Sequence, residues 1–357
     1  MPAARLATLT LLASLAFTGA SPQAPIPAAV DAAVLAEMAR QRVPGVAVGV
    51  VRGGVGVVSK GYGVANVEHE VPVTDDTIFQ SGSLGKMFTS TAVMLLVEDG
   101  KIALTDPIAK FLPGAPPAWK QITVRHLLTH TSGIPEYTDG AVDLRRDYNE
   151  DQLARMAYAL APDFAPGEKW KYSNTGYVLL GIIIHKASGQ FYGDQLAERV
   201  FKPLGMSTTR VISEADIVPH RAAGYTLTRG ELKNQDWVSP SLNTTADGAL
   251  YFSVKDLIAW DRGVRAGRIL SAASWNDVLS PVRLNDGKTH GYGFGWALGT
   301  RGGQPVYQHG GSWQGFKSHY ARFMHGDLSV IVLANLRQAD AGKIVDAIAA
   351  AIDPALR

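Results

Sequence analysis

Strand-forming patterns occupy both ends of this chain and are scarce in its middle. Near the start, two β-branched runs are joined by Gly53-Gly54, an arrangement typical of a hairpin, and a third strand is predicted at about 65–70. The predicted strands lie at 46–52, 55–60, 291–298, 306–309, 318–324 and 328–334. Because every strand needs partners for its backbone groups, the two ends are expected to meet in one α/β domain.

Helical periodicity dominates the region between the two groups of strands. The predicted helices lie at 28–42, 84–98, 124–128, 150–160, 175–187, 192–200, 254–264 and 341–352. The chain therefore predicts one domain over 28–357. Its α/β part covers about 28–85 and 290–357, and a mostly helical part covers about 86–289.

Composition narrows the classes of function. The net charge is +2, from 34 Lys and Arg against 32 Asp and Glu, and the charges are scattered, so no nucleic-acid surface is predicted. The chain has no cysteine, which excludes disulfides, thiolate metal sites and a cysteine nucleophile.

The first twenty residues have the layout of a secretory signal peptide. Arg5 precedes an apolar run at 9–17, and the small residues Thr18-Gly19-Ala20 follow. The alternatives are an uncleaved membrane anchor and a wrongly assigned start. We expect a secreted or periplasmic protein with no stable membrane insertion after cleavage.

A first candidate for chemistry is Ser83-Leu84-Gly85-Lys86. A serine hydroxyl becomes a good nucleophile only when a nearby base takes its proton, and residues three apart share one face of a helix. Ser83 is thus a candidate nucleophile with Lys86 as its activator. Alone, Ser83 also fits a helix N-cap.

A second candidate is Tyr172-Ser173-Asn174. A tyrosine acts as general acid or base when cationic neighbours lower its pKa, and the amide of Asn174 can bind a substrate amide or the lysine. The alternative for Tyr172 is a turn or interface aromatic after Pro166-Gly167.

The third candidate, His309-Gly310-Gly311-Ser312, ends a predicted strand. Glycines let a backbone approach a substrate closely, and the N–H groups of Ser312 and Ser83 are suited to form an oxyanion hole. The alternative is a strand-ending turn with a partly exposed histidine.

Together these segments resemble the serine β-lactamase and penicillin-binding protein superfamily, most of all its class C type and the family VIII esterases. The three segments match its S-x-x-K motif, its Y-x-N motif and the position of its K-T-G motif. Further similar segments are 98–107, 126–133, 164–168, 203–206 and 291–296, so the resemblance covers roughly residues 30–340. It implies a β-lactamase/transpeptidase-like fold, with a central antiparallel sheet from both chain ends flanked by helices.

The resemblance also implies an acyl-enzyme mechanism. Ser83 attacks a carbonyl, Lys86 and Tyr172 manage its proton, and the N–H groups of Ser83 and Ser312 hold the oxyanion. Asn174, His309, Gly310 and Gly311 complete the substrate-binding set. Which of Lys86 and Tyr172 is the acylation base stays open, because such a pair titrates as a unit.

One departure bears on the substrate. His309 and Gly310 stand where the family has a lysine and a threonine that help to recognise a lactam carboxylate. We therefore expect an esterase or a D-amino-acid peptidase rather than an efficient β-lactamase. The expected partner is a small ester, amide or D-amino-acid peptide. The alternative is a catalytically weak penicillin-binding or peptidoglycan-fragment sensor protein.

Two other readings of the sequence are weaker. His126 and His130 lie four apart, but Leu127 stands where a zinc-protease motif requires glutamate, so no metal or other cofactor is expected. Ser81 stands where the nucleophile elbow of an α/β-hydrolase requires glycine.

Overall fold

A computed structural model of the chain describes residues 25–137 and 142–357. The predicted signal peptide at 1–20 lies outside the described residues. No helix among those described is both long enough and apolar enough to cross a membrane.

The described residues form ten α-helices and fourteen strands. The helices are α1 Ile26–Gln41, α2 Lys86–Glu98, α3 Val124–Leu128, α4 Glu150–Tyr158, α5 Asn174–Ser188, α6 Tyr192–Leu196, α7 Lys202–Leu204, α8 Val254–Arg265, α9 Ala272–Val278 and α10 Ala341–Ile352. The strands are β1 Gly45–Arg52, β2 Val55–Asn66, β3 Val71–Pro72, β4 Phe79–Gln80, β5 Arg210–Val211, β6 Tyr225–Thr228, β7 Glu231–Asn234, β8 Leu250–Phe252, β9 Val282–Arg283, β10 Thr289–His290, β11 Ala297–Arg301, β12 Gln304–Trp313, β13 Phe316–Phe323 and β14 Leu328–Ala334.

Seven strands form one antiparallel sheet in the order β11-β12-β13-β14-β1-β2-β3. At its centre Val48 of β1 pairs with Val332 of β14 on one side and with Lys60 of β2 on the other. The expected α/β fold, with a central antiparallel sheet from both chain ends, is confirmed.

Both faces of the sheet are covered, which explains the continuous apolar run of β1. Successive side chains of a strand point to opposite faces. Val46, Val48 and Val50 join one core cluster with the helices α1 and α10. Ala47 and Val51 join the other core cluster, which contains α2, α5 and α8. The active-site candidates lie on this second side.

Several local predictions were wrong in their bounds. Of the third strand predicted at 65–70 only the last two residues of β2 are strand, and β3 follows at Val71–Pro72. The strand predicted at 306–309 is β12, which continues to Trp313, so His309 and the three residues after it lie within a strand and not at its end. The helix predicted at 192–200 is α6 followed by a π-helical turn at 197–201. The helix predicted from 84 begins at Lys86, after a 3₁₀ turn. The strand predicted at 291–298 begins only at Ala297.

The segment before Ala297 is a loop because it must approach other backbone closely. Gly295 has a φ of +74°, in the left-handed region that glycine tolerates. A Cβ there would lie 2.6 Å from the carbonyl oxygen of Lys86. Gly293 approaches the carbonyl oxygen of Val278 in α9 in the same way, so the alternation of glycine and aromatic residues at 291–296 reflects contacts with other backbone and not strand periodicity.

Candidate active site

Ser83 lies in a 3₁₀ turn, Gly82–Gly85, directly before α2. It neither starts nor caps that helix, because its side chain makes no cap hydrogen bond and Gly85 holds the N-cap position. In a 3₁₀ turn the side chains at i and i+3 nearly eclipse. The Nζ of Lys86 consequently lies 3.1 Å from the Oγ of Ser83.

The amine of Lys86 is completely buried and has three oxygen partners. It donates to the Oδ1 of Asn174 at 2.7 Å and to the backbone carbonyl of Asp247. These two oxygens can only accept. When the amine is neutral its two hydrogens are therefore used there, and its lone pair is left for the hydroxyl proton of Ser83. The geometry allows this lysine to act as a base.

The ring of Tyr172 lies beside the same amine, with its centroid 5.0 Å from Lys86 Nζ. Its hydroxyl oxygen is buried, yet it has no hydrogen-bond partner among the described residues. Buried hydroxyl groups are nearly always paired. Tyr172 and Ser83 line one cavity.

Strand β12 passes directly beside the nucleophile turn. Glycine is required on both sides of this contact, since a Cβ on Gly82 would overlap the amide of Ser312 and a Cβ on Gly311 would overlap the carbonyl of Ser81. Gly82 also has a φ of +52°. The close approach brings the backbone of Ser312 next to that of Ser83, as an oxyanion hole needs.

Two buried histidines are joined through one buried tyrosine. His130 Nδ1 accepts the amide N–H of Ser173 at 3.1 Å, and His130 Nε2 lies 3.1 Å from the hydroxyl of Tyr292. That hydroxyl lies 2.9 Å from His309 Nε2, and His309 Nδ1 lies 2.6 Å from the carbonyl of Gly310. An amide N–H only donates and a carbonyl only accepts. With both rings neutral, the hydrogen bonds therefore run in one direction, from His130 through Tyr292 to His309.

Electrostatics favour the neutral rings that this chain of hydrogen bonds requires. Burial lowers the pKa of His309 to about 3, and the ammonium of Lys86 acts in the same direction. Burial also holds the pKa of His130 well below its usual value. Burial raises the pKa of Tyr292 well above its usual value. His309 is only 7% exposed and both its nitrogens are occupied, so it differs in charge and in access from a lysine at this position.

Ser83 lies between two cavities. The more enclosed one, of about 580 Å³ including its mouth, is lined by Ser83, Ser312, Asn174, Asp247, Tyr137 and Trp313 among others. The more open one, of about 1040 Å³, is lined by Ser83, Ser312, Tyr172, His309, Lys317 and Asp340 among others. A substrate that spans Ser83 therefore extends into both.

All eight candidate residues from the sequence lie at this site. Lys86 contacts both Ser83 and Asn174. The open cavity is lined by the other five, Tyr172, His309, Gly310, Gly311 and Ser312. Sequence reasoning missed Tyr292 and Asp247. Tyr292 lies within one of the family-like segments, which was a usable signal, whereas no motif marked Asp247. The two histidines that lie four apart bind different groups. His126 Nδ1 accepts the amide N–H of Thr123, whereas His130 contacts Ser173 and Tyr292.

The comparisons with known proteins agree on one family. The family model Beta-lactamase matches residues 30–353. The chain is 34% identical over 294 residues to Penicillin-binding protein 4* of Bacillus subtilis (strain 168), which covers 77% of this chain and 64% of that protein. It is 30% identical over 316 residues to D-aminopeptidase of Gluconobacter oxydans (strain 621H), which covers 86% of this chain and 59% of that protein. This chain thus spans somewhat less than two thirds of the length of these relatives.

Solved structures give the same result. D-amino acid amidase from Ochrobactrum anthropi SV3, complexed with L-phenylalanine amide, superposes with a TM-score of 0.81 at 26% identity over 92% of this chain and 99% of that chain. An octameric penicillin-binding protein homologue from Pyrococcus abyssi superposes with a TM-score of 0.78 at 31% identity over 91% of this chain and 76% of that chain. The chain therefore belongs to the beta-lactamase family, and the resemblance carried by its three motifs is confirmed.

Proposed function

We propose that this protein is a secreted serine hydrolase that cleaves ester or amide bonds through an acyl-enzyme on Ser83. Its substrates are D-amino-acid peptides, amides or esters rather than β-lactams. The observation that carries the proposal is the contact between the Oγ of Ser83 and the buried amine of Lys86 at 3.1 Å, beside the unpartnered hydroxyl of Tyr172.

The reaction follows from these contacts. Ser83 Oγ attacks the carbonyl carbon while its proton passes to the Lys86–Tyr172 pair. The N–H groups of Ser83 and Ser312 stabilise the oxyanion. When the tetrahedral intermediate collapses, the bond to the leaving group breaks and the leaving group takes a proton from Tyr172. Water, deprotonated by the same pair, then attacks the acyl carbon, the bond to Ser83 Oγ breaks, and the pair returns the proton to Ser83 Oγ.

The segment that begins at His309 and Gly310 supports the preference against lactams. A neutral His309 with both nitrogens engaged offers no positive charge to a substrate carboxylate, and Gly310 offers no hydroxyl. A carboxylate bound there would meet neither of the groups that lactam-binding relatives provide. Residues 1–20 support the proposed export, which amino-terminal sequencing of the mature protein tests.

Labelling with a fluorophosphonate probe tests the nucleophile. Intact-mass analysis should show one adduct, peptide mapping should place it on Ser83, and Ser83→Ala should not be labelled. Absence of an adduct on folded protein, or full hydrolysis by Ser83→Ala, would sink the proposal.

A substrate panel tests the specificity. Short p-nitrophenyl esters and D-alanyl amides should be hydrolysed, and a chromogenic cephalosporin should be turned over weakly or not at all. Rapid cephalosporin turnover would refute the interpretation of His309. A long-lived penicillin adduct on Ser83, with no ester or amide turnover, would identify a penicillin-binding or sensor protein instead.

A further inference from the structure

The enclosed cavity is the one that receives the acyl part of a substrate. This follows from the position of Tyr172, which lines the open cavity and is absent from the lining of the enclosed one. The leaving group must lie on the side of the group that protonates it. The acyl part of a substrate held on Ser83 consequently extends the other way, toward Asn174 and Asp247.

This acyl cavity carries a carboxylate close to the nucleophile. Asp247 is half-buried, and its Oδ2 accepts a hydrogen bond from the hydroxyl of Tyr137 at 3.2 Å. Within 25–137 and 142–357 the Asp247 carboxylate has no ion-pair partner. A partly buried carboxylate without a cation is costly, and a bound cation relieves that cost.

The surroundings reinforce the negative charge. Burial, followed by the charges of Asp247 and Glu136, raises the pKa of Tyr137 well above its usual value. The Oε2 of Glu136 accepts the backbone N–H of Asn174 at 2.7 Å, so this second carboxylate lies just behind the cavity wall. Lys86 is fully buried beneath Ser83 and is not a lining residue.

One wall of the cavity is held in place by hydrogen bonds. The indole of Trp313 lines the cavity and donates its Nε1–H to the Oδ1 of Asn243 at 2.6 Å. Asn243 is fully buried and its amide also donates to the Oε1 of Glu214 at 3.1 Å. The carboxylate of Asp247 therefore lies in a cavity with a fixed wall.

We infer that Asp247 binds a protonated amine on the acyl part of the substrate, so that the site accepts an unblocked aminoacyl group and releases the amino-terminal residue of its substrate. The inference rests on the proposed acyl-enzyme function and specifies it further. The protein would then cleave as an aminopeptidase or amino-acid amidase does, after the amino-terminal residue. Removal of the carboxy-terminal residue from a long peptide is disfavoured.

The experiment compares three substrates on three proteins. The substrates are D-alanine p-nitroanilide with a free amine, its N-acetyl counterpart, and neutral p-nitrophenyl butyrate. The proteins are the wild type, Asp247→Asn, and the matched control Asp286→Asn, which changes an exposed carboxylate in the turn between β9 and β10.

The wild type should prefer the free amine over the N-acetyl form by about 10- to 100-fold in kcat/KM, the range expected for one charge-assisted hydrogen bond. Asp247→Asn should abolish that preference. Asp286→Asn should change neither that preference nor the hydrolysis of p-nitrophenyl butyrate.

The outcomes separate the inference from the proposed function. If the wild type hydrolyses the butyrate ester but treats the two anilides alike, or if Asp247→Asn keeps the preference, the role of Asp247 is refuted while the serine hydrolase stands. If no substrate is hydrolysed, the proposed function fails as well. Circular dichroism shows whether Asp247→Asn is folded, and Asp247→Ser, which also removes the carboxylate, takes its place if it is not.

Discussion

Replacing Tyr292 with phenylalanine removes a single oxygen that joins two buried histidines. The substitution keeps the ring, which is 4% exposed, so packing is preserved. It eliminates the contacts of 3.1 Å to His130 Nε2 and 2.9 Å to His309 Nε2. A buried N–H on His130 and a buried lone pair on His309 are then left without a partner.

The expected loss can be worked from these two contacts. A buried donor or acceptor left without its partner costs about 1–3 kcal/mol, so the two orphaned groups in Tyr292→Phe should lower the free energy of unfolding by about 2–6 kcal/mol. For a protein of this size that corresponds to roughly 4–12 °C in Tm, at about 2 °C for each kcal/mol. The kcat should fall about tenfold with little change in KM, because His309 also holds the carbonyl of Gly310 beside the oxyanion strand.

Thermal unfolding and steady-state hydrolysis of a p-nitrophenyl ester measure the two effects. Tyr225→Phe is a matched control, since Tyr225 is also buried and its hydroxyl accepts the amide N–H of Val67 at 2.7 Å, away from the site. It should lose stability but keep its kcat. Nitrogen NMR should find the proton of His130 on Nε2 and that of His309 on Nδ1. Unchanged Tm and kcat in Tyr292→Phe would refute the reasoning.

Two further predictions follow from the same site. Because burial lowers the pKa of His309 to about 3 and that of His319 to about 4, the unfolded chain binds protons below pH 6.5 that the folded protein excludes. Stability should therefore be full above about pH 6.5 and should fall by about 1.4 kcal/mol per pH unit for each histidine between pH 6.5 and 4. His309→Gln should reduce that slope in urea titrations at stepped pH, and an unchanged slope would contradict the assignment. Gly311→Ala should cost at least about 2 kcal/mol and most of the activity, because its Cβ would overlap the nucleophile turn, whereas the control Gly299→Ala on β11, with no atom nearer than 3.8 Å, should be mild. Equal melting temperatures for the two alanine variants would show that the turn can move aside.

The fold was predictable where an apolar pattern extends over many residues. The strand at 328–334 and the helix at 341–352 have the predicted bounds, because a continuous β-branched run and a 3.6-residue apolar period each extend over several turns or pairs. Two-residue strands such as β3 and β4 carry no such period. The loop at 291–296 was misassigned because its alternating glycines are demanded by distant backbone atoms, which a local pattern does not contain.

The site was predictable as far as it uses characteristic residue types at fixed spacing. Ser83 and Lys86 are three residues apart, so their contact is local. The acceptor that Lys86 meets in Asp247 is a backbone carbonyl, and every residue type has one. The link between His130 and His309 depends on Tyr292, which belongs to a different part of the chain from either. Such contacts follow from the fold and not from a motif.

The pairing of β1 with β14 at the sheet centre has a consequence for biosynthesis. The partner of Val46 is Ala334, so the residues between them must all leave the ribosome before the central pair can close. Strand β12, which lies beside the turn that holds Ser83, is likewise distant from that turn along the chain. Contacts so far apart along the chain are slow to form. The candidate site therefore cannot assemble on a nascent chain that has not yet exposed β12 and β14.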